Sequence, residues 1–469
     1  MAETETTTSE GEQGAQPRVI GPWGGLAIVI GSMLGIGIFI TPPQVATHLP
    51  SLGWYLAAWA AGGVIAYCGA VAYAELGTRF PKAGGDYVFL RQAFGPSLSF
   101  GAGWLLFAGV FTGSVATMSV PLAEFQLPVL LGPVVEIDPH QLLWSLGFIE
   151  VTVARASAVG VIVALTVLNI LGTRLSAGVQ VALTGIPMAL LAVAAVVIFV
   201  TMEPATLQVA EVVDDEPVVS FGRAVLAIYF AYAGWNALAY VGGEMKDPGE
   251  TIPKSLLGGT VIITALYMLL AAGFVYVLGI GGIQEVMEAG TAVADAVAGG
   301  WVTWAVTALI AVALIGSLNA TVLAGGRVGW AMARRGDLVS SMGRLSSKYD
   351  TPDRALVLQA VLAVVLVMTG TFEMLLELTS IAMFLMGALT VGALFVIRSR
   401  DGDDAPYQAT GYPWVPAVFI VVSVVIIAAS LFRAVAGEDG GTAESIVPLA
   451  GIGVFVVMWA GHWLVKDRT

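Results

Sequence analysis

Residues 22–47 read PWGGLAIVIGSMLGIGIFITPPQVAT. The run carries no charged side chain and is long enough to cross the ~30 Å hydrocarbon core of a bilayer, for which about 20 apolar residues suffice. Gly31, Gly35 and Gly37 fall near its mid-depth. Each weakens a helix by about 1 kcal/mol relative to alanine and frees the backbone to leave helical angles. The pattern reads two ways: as small residues that let a neighbouring helix approach, with Gly31 and Gly35 in Gly-x-x-x-Gly spacing, or as a break in the helix. A second stretch, Phe230-Ala231-Tyr232-Ala233-Gly234-Trp235-Asn236-Ala237, sets Gly, Trp and Asn together inside the apolar run 219–243. The two runs begin at residues 22 and 219, the interval that two five-helix repeats of opposite topology would give.

Apolar runs of this kind recur along nearly the whole chain. Of the 469 residues 57% are hydrophobic and 11% charged, against roughly half and about a quarter in an average soluble domain. No soluble fold hides that much apolar surface, and the runs and their breakers give about twelve spans. Residues 1–19 are acidic and Ser/Thr-rich, without the basic start and apolar stretch of a signal peptide, and read as a disordered cytoplasmic tail. The net charge of −13 matters less than where the cations sit. With the N-terminus inside, all of the 20 basic residues lie on the cytoplasmic side except Arg155, Arg223 and Arg433 at outer ends and Arg327 within a span. That asymmetry places both termini in the cytoplasm. Acids such as Asp214, Asp215, Glu216, Glu285 and Glu288 fall in the opposite loops and read as a solvated exterior.

The chemistry classes thin out quickly. Cys68 is the single cysteine and His48, His140 and His462 are scattered, so neither an intramolecular disulfide nor a metal centre is expected. No nucleophile is paired with a base at catalytic spacing, which argues against an enzyme. A broken membrane helix leaves N–H groups unpaired on one half and C=O groups on the other, tolerated only where protein or a polar cavity satisfies them. A zwitterion supplies both needs, its carboxylate to the amides and its ammonium to the carbonyls. Two facing breaks therefore suit an amino acid better than a sugar or a nucleotide.

Three stretches carry a family resemblance: the Gly-rich break of residues 31–39; Glu75-Leu76-Gly77 through Pro81-Lys82-Ala83-Gly84-Gly85-Asp86-Tyr87 to Ala93-Phe94-Gly95; and Phe230 to Asn236 followed by Glu244-Met245-Lys246-Asp247-Pro248 and Ile252-Pro253. At these residues the chain resembles the amino acid-polyamine-organocation superfamily, and within it the L-type amino acid transporters. The resemblance implies an all-α integral membrane protein with a leucine-transporter-like fold of two inverted repeats, residues 20–201 and 219–397, helices 1 and 6 broken, and two further spans within 413–469. It implies that the substrate carboxylate meets backbone amides around Ser32, Ile36 and Gly37, and the ammonium meets carbonyls near Met33, Phe230, Ala231 and Ala233. Phe230 resembles the gate that covers bound substrate from outside. Asn236 either lines the pocket or braces the break.

Two departures bear on energetics. Where the family commonly has Ser or Thr this chain has Ile36, so binding leans on backbone amides. Where many sodium-independent members have a lysine in span 5, alignment through Gln180 and Thr184 puts Pro187, which either frees a carbonyl for a cation or kinks the helix. Ser317 and Thr321, on one face of span 8, are the hydroxyls available to a sodium site, unless each bonds the carbonyl one turn back. Among membrane-embedded acids Glu377 is the first candidate for a coupling proton. Glu75 and Glu244 are expected instead to pair with Arg or Lys at an inner gate. No cofactor is expected beyond a sodium ion or proton as coupling ion.

The small, neutral surroundings of Ala231, Ala233, Gly234 and Ala237 point to a neutral amino acid carried by alternating access, through exchange or cation-coupled symport. The rivals are a polyamine or cationic amino acid carrier and a sensor that binds an amino acid without moving it. The expected partners are that small molecule and the lipid bilayer, not nucleic acid. The loop 123–152 has no cysteine, so no disulfide-linked heavy chain is expected.

Overall fold

The computed structural model describes residues 18, 20–82, 84–146, 149–171, 173–204, 217–436 and 447–466. The tail expectation for 1–19, apart from Arg18, and the acids Asp214, Asp215 and Glu216 lie outside them. Helices dominate: α1 (Pro22–Met33), α2 (Gly37–His48), α3 (Leu52–Arg79), α4 (Gly85–Leu131), α5 (Val153–Leu171), α6 (Thr173–Thr201), α7 (Pro217–Ala231), α8 (Pro248–Gln284), α9 (Ala289–Val297), α10 (Gly300–Arg334), α11 (Asp353–Thr369), α12 (Phe372–Asp401), α13 (Trp414–Ala436) and α14 (Val447–Lys466). Among the described residues one antiparallel strand pair, β1 (Leu142–Leu146) with β2 (Ile149–Thr152), follows α4.

Seven of the described helices are long and apolar enough to cross a membrane, and α1 and α2 together make an eighth span bent by 45°. Ile186, Leu190, Val193, Val197 and Val200 form an exposed stripe at helical spacing on α6, and Val421, Val424 and Val425 do the same on α13. Such faces are solvated by lipid tails, so this is a multi-pass integral membrane protein.

Two packed groups of helices flank one interior. In the first, α8 lies along α1, α2 and α3, while α7 packs on α2 and α3; in the second, α10, α11, α4 and α5 pack on one another. Small residues set the closest approaches: a Cβ on Gly63 would lie 2.3 Å from Thr264 Cγ2 on α8, and one on Gly259 2.6 Å from Val29 Cγ1 on α1. Helix α12 joins the groups, touching α4, α7, α13 and α14.

Several boundaries differ from the hydropathy reading. The expected span at 97–122 is the middle of a longer helix, α4, kinked at Gly95 (φ 81°). Its first turns, Gly85–Phe94, carry Asp86, Tyr87 and Arg91, polarity that the apolar window passed over. The expected span at 298–335 begins at Gly300, because Gly299 and Gly300 both take positive φ and separate it from the short α9. That short helix is capped by Glu288, whose carboxylate accepts from the backbone N–H groups of Gly290 (2.5 Å) and Thr291 (3.0 Å). Burial raises the Glu288 carboxyl above its ordinary range, against the pull of those donors.

Candidate transport site

Both stretches are breaks. Helix α1 ends at Met33 and α2 begins at Gly37; between them Leu34 N–H still reaches Ile30 O (2.8 Å), and the chain then turns. Helix α7 ends at Ala231, and the rest of the expected span 219–243 is a turn at Gly234 (φ 97°) followed by two short 3₁₀ turns, Ala237–Tyr240 and Gly242–Glu244. Close packing accompanies the breaks: a Cβ on Gly37 would lie 2.4 Å from Ala231 Cα, and one on Gly234 2.4 Å from Ser32 O. The breaks touch each other through their glycines.

The exposed ends of the breaks have partners. The Tyr267 hydroxyl, from α8, lies 2.5 Å from Met33 O and 3.1 Å from Ala231 O. It joins the last carbonyl of α1 to the last of α7. Two of the carbonyls expected to meet an ammonium thus already hold a hydroxyl, and each keeps a second lone pair. Sequence reading missed Tyr267, because a tyrosine in an apolar run carries no signal of what it reaches.

A cavity of about 1050 Å³ opens from this junction. Its wall includes all eight residues expected to bind substrate, Ser32, Met33, Ile36, Gly37, Phe230, Ala231, Ala233 and Asn236, and also Ser317 and Thr321. Pro187 and Glu377 are not part of that wall. Pro187 is buried within α6, and the side chains of Gln180 and Thr184, through which it was aligned, lie outside the described residues. Ser317 Oγ contacts Met118 Sδ at 3.6 Å, while Thr321 donates to the Ser317 carbonyl one turn back at 2.8 Å. Asn236 Nδ2 donates to the Tyr240 hydroxyl (3.2 Å), so Asn236 both faces the cavity and braces the segment after the break.

The cavity is accessible from one end. It runs past Glu244 and Arg327, paired at 2.9 Å, to the exposed Lys348 and Asp350 beyond α10. At the opposite end α9 packs on α2, with Gly290 so close to Phe39 that a Cβ would lie 2.7 Å from its ring. The ion-pair clusters sit at the open end. Glu75, fully buried, is held by Arg79 (2.8 Å), Arg398 (2.5 Å) and the Ala409 N–H (2.7 Å), and Arg398 also lies over the Tyr412 ring. Asp337 is held by Arg91 (3.0 Å) and the Tyr87 hydroxyl. The expected pairing of Glu75 and Glu244 with basic residues is what the structure contains: Glu75 pairs with the nearby Arg79 and the remote Arg398, and Glu244 with the remote Arg327. Asp86, quoted above only as part of a motif, is another buried acid on the cavity wall.

Residues 20–457 match the family model described as amino acid permease. The chain is 28% identical over 412 residues to the serine/threonine exchanger SteT of Bacillus subtilis (strain 168), covering 87% of this chain and 89% of the relative. It is 26% identical over 440 residues to the b(0,+)-type amino acid transporter 1 of Mus musculus, covering 93% and 87%. The cystine/glutamate transporter of Homo sapiens is 27% identical over 421 residues, covering 87% and 79%. With a matched region that runs through both breaks and the helices around the cavity, this chain belongs to the amino acid permease family, a family of transporters and not of enzymes.

Proposed function

We propose that this protein is a secondary active transporter that moves neutral amino acids by alternating access around the junction of α1, α2 and α7. The observation that carries the reading is the contact of the two helix breaks at the head of a cavity with one open end. Such a junction offers amides and carbonyls a few ångströms apart, the complement of an amino acid's backbone charges. In this reading the carboxylate takes the amides around Ser32, Ile36 and Gly37, and the ammonium takes the free lone pairs of the carbonyls at Met33, Phe230, Ala231 and Ala233. The alanines at 231, 233 and 237 bring no charge to the junction, and Asp86 on the same cavity wall already accepts from Tyr73 and Tyr240. The relatives' names support amino acid cargo and, for the Bacillus protein, exchange. The two repeats, 20–201 and 219–397, supply one break each, and twelve spans put both termini with the basic residues in the cytoplasm. The open end of the cavity then faces inward.

The test is uptake of labelled alanine and leucine by the purified protein in liposomes, with and without internal amino acid and with and without an inward sodium gradient. Uptake only into preloaded vesicles, indifferent to sodium, identifies an exchanger; sodium-dependent uptake into empty vesicles supports a cation site beside Ser317. Binding without movement in any condition would make the protein a sensor. Within the same assay Tyr267→Phe removes the hydroxyl shared by Met33 and Ala231. A lost buried hydrogen bond costs about 1 kcal/mol and leaves an acceptor unsatisfied at similar cost, so the initial rate at low substrate is expected to fall about thirtyfold.

A further inference from the structure

We propose that Asp86 is a proton-binding site of this carrier and that its protonation state sets how firmly the segment after α7 is held. The inference rests on the transport reading above and adds to it a residue and a ligand.

Asp86 is fully buried at the start of α4, yet belongs to the cavity wall. Its two carboxylate oxygens are taken by different phenols: Oδ1 accepts from Tyr73 of α3, and Oδ2 accepts from Tyr240 of the 3₁₀ turn after α7. Among the described residues no lysine or arginine lies within ion-pair distance of it, unlike Glu75, Glu244 and Asp337, each of which has an arginine. The other groups beside it are also neutral: Tyr229 of α7 and Thr390 of α12. Tyr87, next in the chain, turns away to Asp337. The charged groups of the cavity, the Glu244–Arg327 pair with Lys348 and Asp350, stand toward the mouth, where water enters.

A carboxylate buried without a counter-charge is expensive to keep ionised, and phenol donors offset only part of that expense. The group is therefore poised to take a proton. The consequence is mechanical, because the bonds it makes cross between moving parts. Ionised Asp86 accepts from Tyr240, which in turn accepts from Asn236 at 3.2 Å, so one chain of bonds runs from α4 to the break. Protonated, the carboxyl turns one oxygen into a donor and loses the charge that strengthened both phenol bonds, so each is accepted more weakly. The proton weakens the tie between α4 and the 237–244 segment, and by linkage any state in which that tie is broken binds the proton more tightly.

Two readouts test this. The first is the infrared difference spectrum of the purified full chain titrated from neutral to acidic pH, which should show a protonated-carboxyl band that Asp86→Asn removes and Glu377→Gln leaves in place. The second is labelled-alanine uptake in liposomes across the same range. Wild type should show a pH-dependent rate and Asp86→Asn a flat one. Tyr240→Phe, which removes a donor to the ionised form, should move the midpoint upward by about one pH unit. A band unchanged in Asp86→Asn, or a Tyr240→Phe midpoint equal to wild type, overturns the proposal. Should Asp86→Asn not fold, the Tyr240→Phe titration decides alone. If wild type moves neither alanine nor leucine at any pH, the transport reading fails, while the infrared titration still judges Asp86.

Discussion

Gly37→Ala is expected to reduce amino acid uptake by up to about a hundredfold. The added Cβ would lie 2.4 Å from Ala231 Cα and 2.8 Å from its Cβ, so what must yield is backbone at the end of α7, not the tip of a flexible side chain. Overpacking of this kind costs about 1–3 kcal/mol, and here the relaxation that relieves it separates the two breaks. Gly234→Ala acts by a second route: its φ of 97° disfavours any side chain, and its Cβ would meet Ser32 O at 2.4 Å. Gly35→Ala should be milder, because the atom it meets, at 3.1 Å, is the movable Ser317 hydroxyl. Gly160→Ala on α5, with nothing within 4 Å, is the control. Uptake in liposomes, normalised to folded protein by size-exclusion, reads all four. Wild-type rates in Gly37→Ala would remove the junction from the mechanism.

The second large effect is on stability. Glu75→Ala should lower the unfolding free energy by about 3–5 kcal/mol, the usual cost of leaving buried charges without their partner. Arg79 and Arg398 have side chains only 6% and 8% exposed, and both converge on this one carboxylate. The Ala409 N–H loses its acceptor as well. Since Arg398 ends α12 and Ala409 lies in the link to α13, the damage falls on the joint between those helices. Glu75→Gln, which keeps one acceptor, should lie between. Glu250→Ala breaks a pair with Lys254 in which both side chains are more than half exposed, and should change little. Thermal unfolding in detergent ranks the three; a Glu75→Ala protein as stable as Glu250→Ala would show that the cluster contributes no stability.

What could be read from sequence alone follows from what each signal depends on. Apolar length and charge asymmetry are local quantities, so the membrane class and the broken spans at Gly31–Gly37 and Phe230–Asn236 were legible. Glycine acts through its own backbone, so the residues marked where a break could form; close packing fitted the same glycines, and it was the family resemblance that implied the breaks. Tyr267, Asp86 and Arg327 act through partners 13 to more than 200 positions away in the chain, and nothing in their neighbours announces those partners. Thr321 shows how one spacing serves two ends: four residues after Ser317, its hydroxyl donates to the Ser317 carbonyl and keeps its oxygen lone pairs toward the cavity wall. The polar first turns of α4 were missed because a hydropathy window weighs the average of a segment, and Asp86, Tyr87 and Arg91 lower it.

The hydroxyl of Tyr267 between Met33 and Ala231 has a consequence for selectivity. Because the ends of α1 and α7 are bridged by protein, the recess between them is shaped before any guest arrives. Little chain entropy is then lost on loading, and a guest is judged by fit to a standing mould, not by its ability to create one. Discrimination between side chains should accordingly appear as differences in dissociation rate, with arrival rates nearly alike.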